Sequence, residues 1–165
     1  MILLAPMSRS SVPPAAVSTE SIDSRSQTTH VQQILRVSTR GKALHDITGA
    51  IGPLVARSGV TTGLCSIFVQ HTSASLIIQE NADPDVLQDL ETFLSTLVSE
   101  DAAYRHRDEG RDDMPAHIRT ALTHTSEQIP IICGKLGLGI WQGIYLWEHR
   151  QHGRTREVVV HIMGG

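Results

Sequence analysis

Apolar and polar residues alternate most regularly in the middle and at the end of the chain. Across 63–71 Cys65, Ile67, Val69 and His71 share one face, the period-two pattern of a half-buried strand. After a short break at 72–74, the run 75–80 repeats it with Leu76, Ile78 and Glu80 on one side. Further strands are predicted over 30–39, 127–133, 141–149 and 155–163, with a glycine-rich connection at 134–139. A 3.6-residue period replaces alternation after Asp83, a good N-cap followed by Pro84 at the first helical position. There Val86, Leu87, Leu90, Phe93, Leu94, Leu97 and Val98 form one apolar stripe that should pack on a sheet. A helix across 49–59, with Asp46 or Thr48 as cap and Gly59 as stop, and a short helix over 114–124 complete the set. Residues 99–113 are charged, lack a period and read as a loop. The expected fold is α+β: a largely antiparallel sheet or sandwich covered by two or three helices, over residues 29–165. Residues 1–28, rich in Ser, Thr, Pro and Ala, read as a disordered extension, with Met7 an alternative start.

The alternation carries chemistry where it breaks. His71 ends one inward face and Glu80 another, while Gln142, Ile144, Leu146 and Glu148 share a side of the 141–149 strand. A carboxylate at the edge of a core has to be paired or hold something, because burying it alone costs several kcal/mol. For any one of these residues an ordinary strand end is the simpler explanation. The set gains weight from His106, Asp112, Asp113 and His117, whose spacing H-x5-D-D-x3-H puts imidazole and carboxylate together. Such donors suit Zn²⁺, with Mn²⁺ or Mg²⁺ less favoured, although the spacing is no recognised zinc motif. His149 and His152, at a strand end before Gly153, are expected at the surface. Arg150, Arg154 and Arg156 would either contact an anionic ligand or solvate a hairpin. The 134–139 glycines lack the G-K-[ST] of a P-loop, and no G-x-S-x-G elbow supports Ser73 or Ser75 as a nucleophile.

Composition narrows the classes. A net charge of −3 without a basic run argues against a nucleic-acid surface, and 4% aromatic residues argue against single-strand stacking. The two cysteines, Cys65 and Cys133, lack paired-ligand spacing and are expected as small buried residues. No stretch reaches a membrane span and the apolar opening is too short for a signal segment, so no membrane partner and a cytoplasmic location are expected.

The runs HTSASLIIQENADPDVLQDL, RHRDEGRDDMPAHIR, QIPIICGKLGLGIWQGIYLWEHR and REVVVHIMG, in this order over residues 30–165, resemble the signature blocks of the YjbQ-type family, often labelled secondary thiamine-phosphate synthases. The resemblance implies a compact α+β subunit assembling as a homotrimer, with a polar site around His71 and His117. It also implies weak thiamine-phosphate synthase activity beside an unsettled primary role. By matching position, His71, His117, Asp113 and Glu148 become catalytic candidates, and Glu80, Trp141, Gln142 and Arg156 substrate-binding ones. His71, His117 and Asp112 become candidate ligands for a divalent metal, Zn²⁺ or Mg²⁺. Ile140, His124 and His161 depart from the usual Thr, Gly-Ser-Ser turn and Thr of the family, which leaves a hydroxyl role beside Trp141 without its residue. Two functions follow: an enzyme acting on small phosphorylated metabolites, or a trimeric module that binds a metal or metabolite without turnover.

Overall fold

Strand alternation translates directly into elements, whereas helix capping does so for the helix Pro84–Leu97 and not for the helix Thr48–Ser58, whose cap position is Ile47 and not Asp46 or Thr48. The computed structural model describes residues 28–165; the extension expected at 1–28 lies, but for residue 28, outside them. The elements are β1 (Thr29–Ser38), β2 (Ala43–Asp46), α1 (Thr48–Ser58), β3 (Thr62–Val69), β4 (Ala74–Glu80) and α2 (Pro84–Leu97). They continue with α3 (Asp113–Leu122), β5 (Ser126–Ile132), β6 (Lys135–Leu136), β7 (Gln142–Glu148) and β8 (Thr155–Gly164). Asp83 caps α2 by accepting the Asp85 N–H at 2.9 Å. Gly59 ends α1 in the left-handed region, φ 75°, where a side chain would be strained.

Every strand pairing is antiparallel. One sheet runs β1-β8-β3-β5-β6 and the other β2-β7-β4. The core lies between them: Cys65, Ile67 and Val69 of β3 and Val158, Val160 and Ile162 of β8 meet Leu76 of β4 and Ile144 and Leu146 of β7. Ile51 and Val55 of α1 join this core. The outer face of the small sheet is covered by α2 and α3, where Trp147 packs with Leu94 and Val98, flanked by Leu90 and Ile118. β7 is therefore covered on both faces, and Gly143 to Glu148 are all buried.

Three further sequence expectations change. β2 was not anticipated; its four residues, flanked by Gly41 and Lys42 on one side and by α1 on the other, are too few for an alternation to register. The α2 stripe is only partly covered, because Leu90, Leu94 and Val98 take the contact while Phe93 and Leu97 stay exposed. Cys65 is buried as expected, but Cys133 is exposed, in the β5–β6 turn at φ 50°. The outer face of the large sheet also keeps Ile34, Phe68, Ile132 and Met163 exposed.

These packing differences have measurable size. Ile67→Ala should lower unfolding stability by about 2–5 kcal/mol without changing the urea m-value, as for other buried aliphatic truncations. Phe93→Ala in the same assay should change it by less than about 0.5 kcal/mol. Equal losses for the two would contradict this assignment of core and surface.

Candidate functional site

The inward face of β7 runs Ile144, Leu146, Glu148, and that of β8 runs Ile162, Val160, Val158, Arg156. The two apolar ladders thus end on opposite charges that meet across the sandwich. Arg156 Nε donates to Glu148 Oε2 at 2.7 Å and Nη2 to Oε1 at 2.5 Å, with both side chains at most 1% exposed. The Thr39 hydroxyl (2.8 Å) and the Arg150 backbone N–H (3.0 Å) also donate to this carboxylate. Burial pushes the Glu148 carboxyl up, but Arg156, the Arg150 N–H and Thr39 outweigh it and hold it below the ordinary carboxylate value.

Arg156 has a further contact: Nη1 lies 2.9 Å from Nδ1 of His71, just beyond the end of β3. A guanidinium only donates, so Nδ1 accepts and the proton of the neutral ring resides on Nε2. Burial, then the Arg156 charge, lower the His71 pKa and favour this neutral form. His71 is half-buried and borders an open hollow of about 460 Å³ lined also by Phe68, Gln70, Thr72 and Thr125.

Beside this segment sits a second cluster. Asp113 and His117 lie one turn apart on α3, hence on one face. His106 reaches them from the preceding loop, its Nε2 2.7 Å from Asp113 Oδ2; His117 Nε2 lies 3.4 Å from the same oxygen. One ligand atom from each of the three falls within 4.8 Å of the others, close enough together to hold a metal ion. Each group is also held from behind. His117 Nδ1 is 2.9 Å from the Thr72 carbonyl, which places its proton there and leaves Nε2 a free lone pair. Asp113 Oδ1 takes the Arg150 guanidinium, leaving Oδ2 toward the histidines. Arg150 also donates to Asp112 (2.9 Å) and to the Glu109 carbonyl (2.7 Å), and so clamps the 106–113 loop onto β7.

The remaining sequence candidates fall elsewhere. Asp112 directs Oδ2 to Arg150 and to the Gln151 N–H, away from the histidines. Burial raises the Asp112 pKa, yet these hydrogen bonds hold it below its ordinary value. Glu80 pairs in register with Gln142 at one end of the small sheet, whereas Glu148 pairs with Ala74 at the other. Six residues separate the two ends, roughly 20 Å at about 3.3 Å per residue, so Glu80, Trp141 and Gln142 lie apart from His71 within one chain. Trp141 is exposed, and Gln142 braces its own turn by accepting the Gly139 N–H. Arg156 is buried and engaged with Glu148, His71 and the Ser73 carbonyl.

His149 corrects the expectation of surface placement. The chain continues beyond β7 beneath α2 and α3, and His149 is fully buried, its Nε2 2.8 Å from Ser75 Oγ. Trp147 stacks at a tilt on it with ring centroids 5.4 Å apart, and the Trp147 indole N–H donates to Glu91 at 2.5 Å. Among the described residues, His149 Nδ1 and the Nε and Nη1 of buried Arg119 have no hydrogen-bond partner, although Glu91 stands 3.7 Å from Arg119 Nη1. His106, which the family resemblance does not name as a ligand, supplies the third ligand atom from its place in the H-x5-D-D-x3-H spacing.

A curled antiparallel sandwich of this α+β type, with conjoined histidine–carboxylate and arginine–carboxylate clusters at one end, defines the class. The chain belongs to the family described as UPF0047 protein YjbQ-like, whose model matches residues 33–165. It is 63% identical over 134 residues to a UPF0047 protein of Synechocystis sp., covering 81% of this chain and 91% of that one. It is 40% identical to UPF0047 protein YjbQ of Escherichia coli O157:H7, covering 81% and 97%. Among solved structures, a YbjQ-like protein of Sulfolobus solfataricus P2 superposes with TM-score 0.78 at 26% identity, covering 84% of this chain and all of that one. A YjbQ/UPF0047 family protein of Clostridium acetobutylicum does so with TM-score 0.71 at 39% identity, covering 80% and 98%. Among the described residues no helix is long and apolar enough to cross a membrane.

The buried His149 predicts an acid-labile fold. Burial, then the Arg119 charge, lower its pKa from 6.5 to about 3, against the opposing pull of Glu148 and with smaller depressions from Arg156 and Lys42. The unfolded chain therefore takes up a proton that the folded one resists. The contribution is fully present above the unfolded value and is lost as pH falls from about 6.5 toward about 3, by up to about 1.4 kcal/mol per pH unit. His71 adds loss in the same direction; Glu148 and Asp112 add theirs only below their ordinary values of 4.5 and 3.8. Urea unfolding between pH 7 and 5 should show this slope, and His149→Gln should flatten it. An unchanged slope in His149→Gln would show that His149 is not the group responsible.

Proposed function

We propose that the chain is a low-rate enzyme of small phosphorylated metabolites, with weak thiamine-phosphate synthase activity, that uses a divalent ion held by His106, Asp113 and His117. The convergence of three ligand atoms within 4.8 Å supports this reading. So does the fixing of His117 by the Thr72 carbonyl and of Asp113 by Arg150, the outer contacts that orient metal ligands. Two imidazoles and one carboxylate suit Zn²⁺ better than Mg²⁺ and leave positions open for substrate oxygen. Such an ion would stabilise charge developing on a departing phosphate or diphosphate. In thiamine-phosphate formation the thiazole nitrogen bonds to the pyrimidine methylene carbon as the carbon–oxygen bond to pyrophosphate breaks. The leaving group carries away the electron pair. That reaction asks a protein mainly for orientation and for stabilisation of the leaving group.

Metal analysis of tag-free protein together with a thiamine-phosphate assay tests the reading. About one Zn²⁺ per chain is expected, with turnover far below the typical enzyme median of about 10 per second. His106→Ala and His117→Ala, both at partly exposed positions, should lose the ion and the activity while keeping the fold. Folded wild-type protein that takes up Zn²⁺ but turns over no substrate would favour the binding module instead.

The same reading includes a homotrimer. The exposed apolar residues Ile34, Phe68, Ile132 and Met163 on the outer face of the large sheet support assembly through that face. Sedimentation should give three chains per particle, and Phe68→Asp should lower that number. A monomer at micromolar concentration would rule the assembly out.

A further inference from the structure

The two arginines of the site are both buried and already engaged, so neither is free to hold a phosphate. Arg156 is 1% exposed and directs Nε and Nη2 to Glu148 and Nη1 to His71. Arg150 is 5% exposed and directs its three nitrogens to Asp112, Asp113 and the Glu109 carbonyl. Against these two cations stand three carboxylates, Glu148, Asp112 and Asp113. Arg154 and Glu157, the further charges acting on His71, are of opposite sign. With neutral histidines this constellation is net negative and repels an anion.

On the reading that His106, Asp113 and His117 hold a divalent ion, we propose that this ion is the anion receptor of the site. His71 Nε2–H is then the side-chain donor to the bound phosphoryl group, and Arg156 and Arg150 are positioning residues. The two histidines flanking the segment are set to opposite tautomers by their partners. Arg156 occupies Nδ1 of His71, so Nε2 carries the proton and has no lone pair for a metal or for accepting a substrate proton. The Thr72 carbonyl occupies Nδ1 of His117, so its Nε2 offers a lone pair to the ion. Donor and ion are thus tied to consecutive residues, 71 and 72, both of which line the hollow of about 460 Å³. A phosphoryl group spanning them would meet the ion through one oxygen and the His71 N–H through another. The ligand class is a phosphate or diphosphate ester in which the anionic end, not an apolar body, provides the anchor.

The test uses the full chain, stripped of metal by a chelator and then reloaded with Zn²⁺ or Mn²⁺, with inorganic phosphate as the probe in calorimetry. Phosphate should bind the loaded chain at least tenfold more tightly than the stripped chain. His71→Ala should weaken phosphate binding by about tenfold or more, the size expected for losing a hydrogen bond to a charged group, while metal affinity changes little. His71→Gln, which keeps an N–H near the Nε2 position, should restore most of that loss, and His71→Glu should not. A chain that takes up neither ion overturns the metal reading and this proposal with it. A chain that takes up the ion but binds phosphate equally well without it overturns this proposal alone. Loss of metal affinity in His71→Ala, with phosphate binding unchanged at saturating metal, would make His71 a ligand and overturn its role as donor.

Discussion

Two sheets with apolar inner faces need only shape and burial to stack, but the end of such a stack must meet water or close. Here it closes on the Arg156–Glu148 pair, both side chains out of solvent, one from each sheet. A buried ion pair of this kind is a weak source of net stability, since the desolvation of both groups offsets their attraction. Its constraint is positional. Glu148 fixes the Arg150 backbone N–H and the Thr39 hydroxyl, Arg156 fixes the His71 ring, and Arg150 in turn fixes Asp112 and Asp113. Loss of either member would leave an uncompensated charge inside the sandwich and release the site at once.

Much of the fold was legible because alternation is a direct record of which face a side chain takes. Cys65, Ile67, Val69 and Leu76, Ile144, Leu146 all turn inward as their spacing requires. Alternation does not record which end of a strand a residue approaches. Glu80 and Glu148 both close an inward row, yet antiparallel pairing sets them at opposite ends of the small sheet. Nor does it show what covers the outer face. His149 looks like a surface residue in the sequence, and only the packing of α2 and α3 buries it together with Ser75. The H-x5-D-D-x3-H spacing puts Asp113 and His117 together, but only the start of α3 at Asp113 makes them a one-turn pair, and His106 comes from a loop with no period to place it.

The arginines illustrate a related point about charge. Read along the chain, Arg150, Arg154 and Arg156 would either contact an anionic ligand or solvate a hairpin. Read in space, two of the three are counter-ions whose partners are the chain's own carboxylates. Planar guanidinium suits this work because its fixed fork of donors can hold a carboxylate and an imidazole together, which an ammonium point charge would not.

The strand order has a consequence for how the molecule comes into being. β8 lies between β1 and β3 in the large sheet, so among the described residues β1 has no strand neighbour until β8 has formed. During synthesis β3 can pair with β5, but β1 must wait for β8, more than 110 residues further on, and contacts so distant in sequence close slowly. Arg156 travels on β8. The sandwich therefore seals, and the rings of the site take their orientation, only after residues 39–154 have been made.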